Sequence, residues 1–119
     1  MFEIAEMEAT AAQLTDELTR WDGCTCLLWA FGPMPRSAFT FYVYNGNRST
    51  ALQVLCRSPR DYCGPLDWSR AKLRVSAEKR DTTNLLVVRD EAAGFTLRCS
   101  YLQLNEGPRP PGLAPAVTS

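Results

Sequence analysis

Apolar residues recur at Ile4, Met7, Ala11, Leu14, Leu18 and Trp21, alternately three and four positions apart. That spacing lines one face of a helix. Glu3, Glu6 and Glu8 crowd its first turns, where the helix dipole favours negative charge, and Asp22-Gly23 supplies a stop. Thr10-Ala11-Ala12-Gln13 also has the form of a capping box, so a second reading starts the helix there and leaves Phe2–Glu6 extended.

After Gly23 the period changes from helical to alternating. Cys24–Phe31 is apolar on both alternating faces, as in a central strand covered on both sides. Gly32-Pro33-Met34-Pro35 interrupts it. Phe39–Tyr44 and Ala51–Arg57 read as two strands joined by the hairpin signal Asn45-Gly46-Asn47. Ser58–Ser69 shows no period. Lys72–Ala77 alternates, with Leu73, Val75 and Ala77 set against Lys72, Arg74 and Ser76, which predicts one wet face. Leu85–Arg89 and Phe95–Leu104 form the last pair, joined through Asp90-Glu91-Ala92-Ala93-Gly94.

One helix followed by about six strands on mostly short connections implies antiparallel neighbours. The pattern predicts an α+β domain over residues 1–106. Its N-terminal helix packs on one face of an antiparallel, roughly six-stranded meander sheet. A strongly curled sheet or small barrel with the helix as a plug is the alternative for the same element order. Residues 107–119 are expected to form a disordered Pro-rich tail, since proline lacks the backbone donor.

Charge narrows the function classes. Lysine plus arginine (13) equals aspartate plus glutamate (13), which argues against a dedicated nucleic-acid binder. The balance gives little protection against self-association, so homo-oligomerisation stays open. Its distribution is uneven: residues 1–22 carry six carboxylates against one arginine, and residues 57–80 carry seven cations against three carboxylates. The two regions either face solvent, contact each other, or present a basic patch to an acidic partner. No apolar run approaches the roughly 20 residues of a membrane helix, and no secretory pattern opens the sequence. The expected location is cytoplasmic, with five reduced thiols.

The absence of histidine removes Ser-His-Asp and Cys-His devices built within this chain. No glycine-rich phosphate motif is present, and no cofactor is implied. Cys24-Thr25-Cys26 places two sulfurs on one strand face, a pattern more typical of buried structural thiols than of a metal or redox pair. Asp61 with Asp67, and Asp90 with Glu91, are the carboxylate pairs; in loops such residues commonly bond their own backbone.

The strongest functional signal is the segment Ser58–Ser69, too long for a hairpin turn and holding two prolines, a tyrosine, a tryptophan and an arginine. Arg60, Tyr62, Cys63 and Trp68 are its candidate binding residues, with Arg57 on the strand before it, because Trp, Tyr and Arg are the usual anchors of binding surfaces. The competing reading is a lid over the core with Trp68 as its plug. The sequence points first to a non-enzymatic protein-interaction or regulatory module acting through the sheet face and this loop, with a protein as partner. A small-molecule binder with a pocket lined by Trp29, Phe39, Phe41 and Tyr42 comes second. An enzyme using Cys63 or a carboxylate comes third.

Thiol titration under denaturing, non-reducing conditions should count five free thiols; three or fewer in metal-free protein would contradict a reduced state.

Overall fold

The computed structural model describes residues 4–31, 38–45 and 48–109, with the side chains of residues 29–31 and 38 excepted. It comprises one helix, α1 (Ile4–Thr19), and nine strands: β1 (Thr25–Phe31), β2 (Ala38–Tyr44), β3 (Thr50–Arg57), β4 (Asp61–Cys63), β5 (Asp67–Trp68), β6 (Arg74–Arg80), β7 (Thr83–Asp90), β8 (Phe95–Cys99) and β9 (Tyr101–Pro108). The fold is α+β with antiparallel pairing throughout, as the pattern predicts. No helix among the described residues is long and apolar enough to cross a membrane.

The helix begins at Ile4, so the capping pattern at Thr10 lies in its interior. Ala5, Glu6, Met7, Glu8 and Ala9 are good helix formers, and Met7 gains burial by joining the stripe. Met7, Ala11 and Leu18 are buried, and the chain leaves the helix through Gly23 in the left-handed region, φ 88°.

The strands form two sheets rather than one meander of about six. The first has the order β5-β1-β2-β3-β9 and the second β4-β8-β7-β6. Two features separate them. The segment Ser58–Ser69 is not unstructured: β4 pairs with β8 in one sheet and β5 with β1 in the other. The last predicted strand, Phe95–Leu104, is also two strands. Phe95, Leu97 and Cys99 face inward from β8, then the alternation changes phase and Leu102 faces inward from β9. Ser100 is the point of change, where its N–H donates to the Arg57 carbonyl at 3.0 Å and delivers the chain to the edge of the other sheet.

The inner faces share one core. Cys26, Phe41, Val54 and Cys56 from the first sheet join Leu86, Val88, Leu97 and Cys99 from the second. Phe41 and Phe95 meet edge to face across the gap, with centroids 5.8 Å apart. The helix closes one side of this sandwich along β6, the edge strand of the second sheet. Thr15 meets that edge directly: its hydroxyl donates to the Val75 carbonyl at 3.0 Å and accepts from the Val75 N–H at 2.8 Å. One side chain thus satisfies a backbone pair that the sheet leaves open.

The opposite charges of the two uneven regions do meet. The Arg74 guanidinium grips Asp22 with two hydrogen bonds of 2.9 Å, tying the end of the helix region to β6 and holding the Asp22 carboxyl below its ordinary range. On the outer face of the second sheet, Arg80 bonds Asp61 at 2.7 Å, Arg98 lies 3.8 Å from Asp61, and Arg98 bonds Glu78 at 2.7 Å. This chain of charges spans all four strands. Leu85 and Val87 are buried on that same face, with Glu78 and Arg98 as their cross-strand neighbours. The aliphatic stem of Arg98 supplies cover there that a short side chain would not.

β9 runs to Pro108, so Gly107 and Pro108 belong to the sheet, paired with Ala51 and Thr50. Pro108 is tolerated because β9 is an edge strand, where a missing donor breaks no second ladder. The remainder of the expected tail from residue 110, the Gly32–Pro35 break and the hairpin residues Gly46 and Asn47 lie outside the described residues.

Thr15→Val keeps the shape and removes both bonds to Val75. Leaving that part-buried N–H and carbonyl unpaired should cost about 1–3 kcal/mol in urea denaturation, while Thr19→Val at the exposed end of the helix should cost less.

Candidate functional site

Ser58–Ser69 is bracketed by two non-glycine residues in the left-handed region, Ser58 at φ 53° and Arg70 at φ 55°. The chain therefore turns sharply out of β3 and sharply back toward β6. Between those points it is stitched to both sheets. The Arg60 N–H donates to the Arg98 carbonyl at 2.7 Å, extending the β4–β8 ladder, and the Leu28 N–H donates to the Leu66 carbonyl at 2.7 Å, extending the β1–β5 ladder. Gly64 passes so close to the β7–β8 turn that a Cβ there would lie 2.6 Å from the Gly94 carbonyl oxygen. Its φ of 126° independently requires glycine. The Tyr62 hydroxyl donates to the Pro65 carbonyl and closes the bend.

Trp68 faces inward. Its indole N–H donates to Asp90 Oδ2 at 2.7 Å, and its ring lies on Phe95 with centroids 4.6 Å apart. Asp90 is 1% exposed and is the only buried charged residue among those described. Its carboxylate also accepts the Lys72 N–H at 2.9 Å and, through Oδ1, the Ala93 N–H at 3.4 Å. Three donors account for this charge, which makes it a structural pin between the long segment, the entry to β6 and the β7–β8 turn. Trp68 is thus the plug of the lid reading. Asp90 and Glu91 do not act as a carboxylate pair, because Asp90 is committed to N–H donors inside the fold.

Outside the plug, the same segment forms one wall of an open groove of about 360 Å³. Phe39 and Tyr62 stack in it at a 5.2 Å centroid separation, and Leu28, Pro59 and Leu66 complete its apolar lining. Leu66 is 56% exposed and Tyr62 36%, high values for large apolar side chains. Arg60 and Asp61 also line it, Asp61 being held by Arg80. Burial holds the Tyr62 phenol above its ordinary pKa, with the neighbouring Cys63 adding to it, so the ring stays a neutral donor at physiological pH.

The candidate residues therefore separate. Arg60 and Tyr62 share the groove. Cys63 and Arg57 are exposed, with Cys63 paired opposite Thr96 and Arg57 opposite Tyr101, and neither lines the groove. Leu28, Phe39 and Leu66 complete it, and sequence reasoning assigned none of them to this site; the one available signal was Leu66 as the aliphatic residue of the segment. Among the described side chains of the second candidate pocket, Tyr42 does not share a sheet face with Phe39 and Phe41. Phe41 is in the core, Phe39 opens into the groove, and Tyr42 lies on the opposite sheet face, where its hydroxyl accepts from Gln53 at 3.3 Å. The Trp29 side chain lies outside the described residues.

The thiols are divided in the same way. Cys24, Cys26, Cys56 and Cys99 are buried and Cys63 is exposed. Burial pushes Cys24 up and Cys26 and Cys56 well above the ordinary thiol range; Cys56 also shares a hydrogen bond with Cys99 across the two sheets. Raising the pKa in this way disfavours the thiolate, the reactive form, at Cys24, Cys26 and Cys56.

No family model matches the chain, and comparison with curated proteins and with solved structures finds no match.

Trp68→Phe keeps the ring on Phe95 and deletes the donor to Asp90. A buried carboxylate that loses one of its N–H partners should cost about 1.5–3 kcal/mol of stability, read from chemical denaturation, whereas Arg60→Ala should leave the denaturation midpoint within error.

Proposed function

We propose that this chain is a non-enzymatic protein-interaction module whose contact surface is the groove beside Ser58–Ser69. The observation that carries this reading is Leu66. A leucine more than half exposed stands beside an exposed tyrosine, on backbone fixed to both sheets. Preorganised apolar surface of this kind loses little conformational entropy on association. Its chemistry fits a protein partner that inserts an apolar side chain between Tyr62 and Leu66. Arg60 in the lining offers a positive charge, whereas Asp61 beside it is already paired with Arg80, so an acidic group on the partner would set its orientation. Trp68 supports the surface from beneath and makes no direct contact.

The test compares native-host proteins retained by the wild-type chain with those retained by Leu66→Asp. Because Leu66 is exposed, the variant should fold with an unchanged melting midpoint. A specific partner should be lost from it, and the affinity measured with that partner purified should fall about tenfold or more. A partner held equally by both proteins would remove the groove as the contact surface.

A further inference from the structure

On the other side of the Trp68–Asp90 pin lies a wider cleft of about 750 Å³ that the interaction reading does not use. It runs between the Lys72–Ser76 stretch and the β7–β8 turn, with Lys72, Arg74, Ser76, Arg89, Asp90 and Glu91 in its walls.

Arg74 and Arg89 are directly opposite each other in the β6–β7 register. Like charges in that position repel. Asp22 neutralises Arg74 from the far side, through two 2.9 Å bonds. Among the described residues Arg89 and Lys72 make no ion pair. Arg89 donates to the Ser76 hydroxyl oxygen at 3.4 Å and attracts Glu78 from beyond ion-pair distance. Because that oxygen is the acceptor, the Ser76 hydrogen is free to donate into the cleft. The Asp90 carboxylate also lines the cleft and attracts Arg74, but it is 1% exposed and turned to three N–H donors, so little of it faces the cleft. The wall groups therefore offer two cations without a close carboxylate, one of them the planar Arg89 guanidinium fork, and a hydroxyl donor, all suited to a tetrahedral oxyanion.

We infer that this cleft binds the phosphate group of a small organic phosphate monoester. The cleft is far larger than one phosphate and lies in the size range of small-molecule sites, so its apolar walls at Val75 and Ala92 have room for an organic group. Glu91 at the rim, together with the zero net charge of the chain, disfavours a polyanion such as nucleic acid.

Titrations of the full chain with inorganic phosphate and with phenyl phosphate, followed by calorimetry and backbone amide shifts at ionic strength fixed with sodium chloride, test the site. Both should bind saturably, phenyl phosphate more tightly, with shifts centred on residues 72–76 and 89–92. Arg89→Gln should weaken binding about tenfold or more, the loss expected for one charge-assisted hydrogen bond. Ser76→Ala should weaken it less, and Glu91→Gln should tighten it by removing the rim anion. Lys79→Gln, an exposed cation elsewhere on β6, should leave it unchanged. Without phosphate, Arg89→Gln should match or exceed the wild-type melting midpoint, since it relieves the repulsion opposite Arg74. Non-saturable binding, equal losses in Lys79→Gln and Arg89→Gln, or a phosphate-free Arg89→Gln protein that melts much earlier would each overturn the inference.

Discussion

A single buried carboxylate organises the open side of this sandwich. Asp90 is a charge almost fully withdrawn from water, tolerable only because three N–H groups converge on it. Those donors come from Trp68, Lys72 and Ala93, which belong to three different stretches of chain. Satisfying Asp90 therefore fixes the end of the Ser58–Ser69 segment, the approach to β6 and the β7–β8 turn relative to one another. The Trp68 ring, placed on Phe95 by the same bond, fills the space beneath.

The two candidate surfaces follow from this arrangement. A loop merely lying over the core would present Tyr62 and Leu66 on mobile backbone. Here β4 and β5 bind its halves to opposite sheets, and the close approach of Gly64 to Gly94 leaves little room for movement. On the far side, drawing Lys72 toward Asp90 through its own N–H sets the basic stretch 72–76 beside the turn that carries Glu91 and Ala92. An apolar groove and a basic cleft thus flank one structural pin. Asp22 offsets one unit of the excess positive charge that the sequence concentrates in residues 57–80, while Asp61 and Glu78 pair with Arg80 and Arg98 on the outer sheet face.

The edges of the second sheet are β6 and β4. α1 covers β6, with Thr15 replacing a missing strand at Val75, and β4 is an edge of only 3 residues. In the first sheet the edge strand β9 ends in Gly107-Pro108, where proline limits further pairing. Closure into a barrel is not needed for either sheet.

Local sequence alone determined the helix, because its stripe of apolar positions has one period and α1 buries Met7, Ala11 and Leu18 from it. It determined most strands and the antiparallel class for the same reason, since alternation and turn residues act over a few positions. It also singled out Ser58–Ser69 by composition. The division into two sheets was decided only by tertiary structure, although the change of phase between Cys99 and Leu102 was a faint sign of it. Whether one strand bends into another sheet depends on which partner, Arg57 here, waits for the Ser100 N–H. The roles of the segment's residues were decided in the same way. Trp68 turned inward and Leu66 outward because Asp90, 22 residues beyond Trp68, needed a donor. A buried charge draws its partners from wherever the fold brings them, and no local pattern records that requirement.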